Sequence, residues 1–241
     1  EPSEKQGGPF SLPIGIEIAH FDFPGIDIAE PVLGEDYPLS AAGHLDAVKD
    51  TVSLALDARH RARPETYVEA TVDYAPANNR MDISAEINEP QGGIVATLLK
   101  LPGAPALNIT LDGNGPLSDW SGTLLATLSG TALGTIDIDH RLDANGDRTV
   151  ALSGSGQFAP LTPEHFRSLV EGTTNLDISA TLSSTGRIAI NRGSVTTGGF
   201  SLQASGAYDP KGTNDLKATL TATDGPMPFA WPLGEEELSL A

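Results

Sequence analysis

Cysteine is missing from this 241-residue chain, which removes a disulfide framework, a thiolate metal site and a cysteine nucleophile together. The same absence leaves the compartment open. Aromatic residues make up only 5% of the chain, so few large side chains are available to fill a thick core. Basic residues are scarce too: 14 Lys and Arg stand against 32 Asp and Glu, a formal charge of −18 that repels nucleic acid and anionic lipid surfaces. A nucleic-acid role is excluded on that ground. No apolar run approaches the roughly 18 residues that a bilayer-crossing helix needs, and the opening lacks a basic segment followed by an apolar one.

Twenty-six glycines and eighteen prolines, with many Ser and Thr, predict short strands joined by turns. Period-two alternation runs through nearly the whole chain. Ile14, Ile16 and Ile18 begin it, followed by Val52, Leu54 and Leu56, then Val68, Ala70 and Val72. Met81, Ile83, Ala85 and Ile87 alternate with Asp82, Ser84 and Glu86; Leu107, Ile109 and Leu111 alternate with Asn108, Thr110 and Asp112. Ile136 and Ile138 face away from Asp137 and Asp139, and the pattern continues through Val150 and Leu152, Leu176 to Leu182, Ile188 and Ile190, Phe200 to Tyr208, and Leu216 to Ala222. Each segment predicts a strand with one apolar and one polar face. "DANGDR", "YDPKGTND" and "YAPANNR" supply turns with Asn145–Gly146, Asp209–Pro210–Gly212 and Pro76–Asn78, so an antiparallel meander is expected.

Two stretches depart from alternation. "LTPEHFRSLVEG" has Thr162 as an N-cap, Pro163 at the first helical position and Phe166, Leu169 and Val170 on one face; "EPQGGIVATLLKLPGAP" places Ile94, Val95, Leu98, Leu99 and Leu101 on another. Two short helices are predicted, as plugs or crossovers within one sheet.

Reaction chemistry is not visible. His20, His44, His60, His140 and His165 share no metal-ligand spacing. "DANGD" begins like a calcium loop, but glycine falls at the wrong position and Gly154 stands where the terminal glutamate belongs, so it reads as a hairpin turn. "GNGPLS" lacks the third glycine of a dinucleotide fingerprint, no G-x-S-x-G elbow occurs, and the sequon at Asn108 lies inside a predicted strand. No enzyme activity, metal or cofactor is expected.

The stretch "EPQGGIVATLLKLPGAPALNITLDGNGPLSDWSGTLLATLSG" resembles a segment that recurs in the bacterial TamB family, within the wider AsmA-like group. The likeness is carried by Glu89, Pro90, Gly92 and Gly93, by the "LPG" helix stop, and by Gly113, Gly115, Pro116, Leu117, Asp119, Trp120, Gly122 and Leu124. "PGIDIAEPVLGEDYPLSAAGHL" and "RIAINRGSVTTGGFSLQASGAYD" resemble other parts of the family, so the likeness spans roughly residues 10–224. It implies a periplasmic segment of a protein anchored in the inner membrane of a Gram-negative bacterium, with a TamA-type outer-membrane barrel protein as partner of the full-length chain. The family role is passage of phospholipid between the membranes, or assembly of autotransporters and outer-membrane proteins.

The resemblance therefore implies an all-β fold: a long antiparallel sheet curled into a U-shaped groove with an apolar interior and two short helices. Residues 1–9 are expected as a flexible start, 10–224 as the groove-forming domain and 225–241 as an irregular end, the whole being a soluble internal fragment of a longer chain. Groove-lining positions, for lipid or nascent strands, are Ile83, Ile87, Ile109, Leu111, Ile136, Ile138, Val150, Leu152, Ile178, Leu182, Ile188, Ile190, Leu202, Leu216 and Leu220. About 13 strands at ~4.8 Å each give a span on the order of 60 Å. The alternative is a β-sandwich closed on itself, a spacer or protein-interaction scaffold without cargo. Free sheet edges would suit strand addition, with Pro31, Pro38 and Pro64 expected to blunt some of them.

Overall fold

The computed structural model describes residues 15–29, 36–48, 51–75, 79–162, 164–210, 212–223, 230–233 and 236–239. Residues 1–9, Ile14, Pro31, Pro76, Asn78, Pro163 and most of 225–241, about which the sequence raised expectations, lie outside these.

Alternation becomes one sheet of thirteen antiparallel strands. In chain order they are β1 (Ile16–Ile28), β2 (Tyr37–Val48), β3 (Thr51–His60), β4 (Arg63–Ala75), β5 (Arg80–Glu89), β6 (Leu107–Pro116), β7 (Asp119–Leu128), β8 (Thr131–Leu142), β9 (Arg148–Gly156), β10 (Thr174–Leu182), β11 (Ile188–Thr196), β12 (Phe200–Tyr208) and β13 (Asp215–Ala222). Spatial order equals sequence order, so every connection joins neighbours. A separate hairpin pairs β14 (Ala230–Leu233) with β15 (Glu236–Ser239). Strand β2 gave a faint signal because small residues dominate its apolar side: Ala41 and Gly43 lie between Leu39 and Leu45, and Ala47 follows.

Turn chemistry explains the hairpins. Between β8 and β9 the Asp143 carboxylate accepts the backbone N–H groups of Asn145 (2.8 Å) and Asp147 (3.0 Å), while Gly146 takes a positive φ of 84°. Between β12 and β13, Asn214 Oδ1 accepts the Asp209 N–H at 2.8 Å.

Neither predicted helix is a crossover, since each lies in a connection between adjacent strands. Helix α1 (Ile94–Leu98) is a single turn between β5 and β6. The stretch after β9 forms two 3₁₀ segments, Ala159–Leu161 and Glu164–Leu169, where an α-helix was expected. Pro160 lacks a backbone N–H, and both segments take the tighter i→i+3 bonding in place of α-helical bonds.

The expected U-shaped groove is not what forms. The sheet is neither curled into a trough nor closed into a barrel: β1 and β13 are its two ends, and close backbone contacts within it run between sequence neighbours. Among the described residues no large side chain is fully buried, and Ile16 at one end and Leu220 at the other remain 49% and 50% exposed. The closed sandwich is overturned by the same facts. Curling gains stability only when opposed inner faces reach one another; the contact that Trp120 and Phe158 make across glycines of adjacent strands asks nothing of distant ones. Pro38 and Pro64 do not blunt edges either. Both lie in interior strands, whereas edge strand β1 is interrupted by irregularities between Ile18 and Phe21 and between Phe23 and Ile26, the second holding Pro24 and Gly25.

Candidate functional site

Side chains of directly paired residues share a face, so the register decides which positions come together. Ile83 pairs with Gly113, Ile87 with Ile109, Leu111 with Leu124, and Leu124 with Ile136. Ile138 sits between Gly122 and Leu152; Leu152 pairs onward with Ile178 and Val150 with Ala180. Leu182 meets Ile188, Ile190 meets Ala180 and Gly206, Leu202 meets Leu220, and Gly206 meets Leu216. All fifteen positions singled out as groove-lining thus occupy one face of the sheet. They line no groove: the face is open, with Val150, Leu182, Ile188, Leu216 and Leu220 exposed.

Bulges keep this face apolar. In β1, Phe21 pairs with Gly43 and Phe23 with Ala41, then Ile26 with Leu39, so each irregularity restores the apolar side to register. Between strand ends, the register places no Asp, Glu, Lys or Arg on this face among the described residues; Arg63, Glu89 and Arg148 stand at strand termini.

Two aromatic covers sit on it. Trp120, 6% exposed, lies across Gly122 of its own strand and Gly113 of β6, and its indole N–H donates to the Met81 carbonyl at 3.0 Å. A Cβ on Gly122 would stand 2.6 Å from Trp120 Cη2. Phe158 does the same over Gly156 and Gly134, with a Cβ on Gly156 falling 2.6 Å from Phe158 Cζ. Sequence reasoning missed both as structural covers. For Trp120 the local signal is a glycine two residues on, on the same side of the strand, as in "DWSG", completed by Gly113 opposite Gly122 in the neighbouring strand.

Where helix α1 covers β1–β5, a recess of about 210 Å³ is lined by Ile28, Tyr37, Leu39, Val68, Ile87 and Ile94, among others. The buried Glu89 carboxylate accepts the Val95 N–H at 2.9 Å and so holds the helix start against the strand ends. His60, also buried, packs edge-on to Tyr37 with centroids 4.7 Å apart, and its Nδ1 accepts the N–H groups of Ala62 and Arg63. His140 donates from Nδ1 to the Leu117 carbonyl at 2.6 Å, and His20 and His44 are exposed. No group of three or more metal-ligating side chains forms among the described residues.

The opposite face carries the charge. Arg59 pairs with Asp57 at 2.8 Å and also with Glu69, and it lies 4.8 Å over the Tyr67 ring. The hydrogen bond to Asp57 raises the Arg59 pKa. Tyr67 donates to Glu86 at 2.9 Å, which raises the phenol above its ordinary value. Arg80–Asp82 and Arg192–Asp177 pairs follow at 3.0 and 3.2 Å. These are solvated pairs that keep one face wet, each contributing little stability.

No described helix is long and apolar enough to cross a membrane. The TamB likeness rests on the sequence stretches themselves: no family model matches the chain, no curated protein matches it, and no solved structure matches it.

Proposed function

We propose that this chain is a non-catalytic binding module that presents an extended apolar β-face to another protein surface. One observation carries the reading: a register that keeps acidic and basic residues off one face of a thirteen-stranded sheet, between strand ends, while leaving that face open. A sheet with an apolar face is stable in water when another layer covers it. An exposed patch on this scale marks an interaction surface. The TamB-like stretches support a periplasmic setting, in a chain anchored at the inner membrane and meeting a TamA-type barrel protein.

A photocrosslinking residue at Ile138, with a control at Asp139 on the opposite face, tests the reading in living bacteria. Protein adducts at Ile138 and none at Asp139 are expected. Equal capture from both faces, or no protein adduct at Ile138, would overturn it.

A further inference from the structure

We infer that the surface covering the apolar face is a second copy of this chain, the two sheets packing face to face as a two-layer sandwich. The inference rests on the binding-module reading and adds the identity of the partner.

Area argues for it first. Strands of about 10 residues at ~3.3 Å each, repeated thirteen times at ~4.8 Å, present roughly 2,000 Å² on one face. Covering that face on two copies buries at most on the order of 4,000 Å²; even half of that, with the ground under helix α1, Trp120 and Phe158 taken out, reaches about 2,000 Å², the size of a stable specific interface. A small partner leaves much of the face wet, whereas a second copy matches it in length and width.

Shape argues the same way. Aligned sheet packing needs two layers of similar twist about 10 Å apart, and identical sheets meet that condition. A two-fold axis requires only that one patch fit itself, which an apolar surface of small and aliphatic residues does. Trp120 and Phe158 fill the space that glycine pairs leave on the sheet, the place where side chains at those positions would otherwise stand. The 210 Å³ recess beside helix α1 admits one ring-sized side chain from the opposing copy.

Charge permits the pairing. Asp57, Glu69, Asp82, Glu86, Asp137 and Asp177 belong to the opposite face, so face-to-face packing turns both acidic surfaces outward. Two sheet thicknesses separate them, beyond a Debye length of ~8 Å at physiological salt. The other stacking, acidic face on acidic face, is repulsive.

Sedimentation equilibrium of the whole chain tests the inference, with the double variant Leu216→Asp/Leu220→Asp and the control Thr219→Asp. Leu216 and Leu220 are at least half exposed and lie on the apolar face, whereas Thr219 points the other way on the same strand. The expected result is a dimer whose dissociation constant rises roughly 100-fold or more in the double variant and is little changed in the control. Far-UV circular dichroism of the double variant should match the parent, which separates lost association from lost folding. A dimer unaffected by the double variant would overturn the inference and point to the sheet edges. A monomer up to about 100 µM would also overturn it. Binding of anilinonaphthalene sulfonate by that monomer would leave the open face and the binding-module reading standing; failure to bind the dye would remove both.

Discussion

Strands β5 to β9 and strands β11 to β13 follow the same alternation and contribute to the same face, yet they differ in how that face is protected. In the first group Trp120 lies over Gly113 and Gly122, and Phe158 over Gly134 and Gly156. In the second, Tyr208 is 45% and Leu216 58% exposed. Alternation therefore sets which face is apolar. At Trp120 and Phe158 the cover is an aromatic ring that finds a glycine floor in register beside it.

The largest effect should come from removing a cover. Trp120→Ala strips a buried indole from three adjacent strands and leaves the Met81 carbonyl without its donor. A loss of about 3 kcal/mol is expected in urea titration, near the low end for a buried tryptophan. A loss below about 1 kcal/mol would mean that the ring is not what protects these strands.

Filling the floor tests the same unit from beneath. Gly122→Ala places a methyl against the Trp120 ring and near the Asp112 carbonyl, 3.0 Å away. Destabilisation of about 1–3 kcal/mol is expected, with a changed tryptophan emission spectrum as the ring lifts. An unchanged spectrum would contradict the geometry.

At the open end the same kind of truncation should do little. Leu220→Ala, measured dilute enough for the chain to be monomeric, is expected to stay within about 0.5 kcal/mol of the parent. A cost of 2 kcal/mol or more, the range of a core leucine, would show that Leu220 is buried in the isolated chain.

The smallest effect concerns the β8–β9 turn. Backbone N–H groups, that of Asp147 first, hold the Asp143 carboxyl below the ordinary carboxylate range. Because the folded value is lowered, its contribution is complete above the ordinary range and is lost as pH falls through the folded value. A carboxyl-carbon NMR titration should show Asp143 titrating below a model aspartate, and Asp143→Asn should flatten that part of the stability curve. Titration at the ordinary value would remove the argument.

Much of this fold was legible in the sequence because a strand's period is two and its signal is local. The face assignment of Ile83 through Leu220 needed only alternation, and the turn at Asn145–Gly146 needed only its own residues. The shape of the sheet was not legible. Curled, closed and open sheets share the same alternation, and the difference between them lies in contacts among distant strands, which alternation does not encode. The family likeness favoured the curled form, and the chain's own packing does not follow it. The role of Trp120 was hidden for a related reason: its partner Gly113 belongs to the neighbouring strand, and only the β6–β7 register brings that glycine under the ring. The small residues of β2 concealed a strand that pairing on both sides secures.

Whether the sheet stays open or closes edge to edge can be tested by one distance. The chain has no native cysteine, so Asp22→Cys in β1 and Lys217→Cys in β13 place two spin labels and no others. Double electron–electron resonance, on labelled chain in a large excess of unlabelled chain, reads the separation within one molecule. Twelve strand spacings of ~4.8 Å, shortened by twist, predict roughly 40–60 Å. A sharp distribution below about 25 Å would bring the two edge strands together and contradict the open sheet on which the account stands.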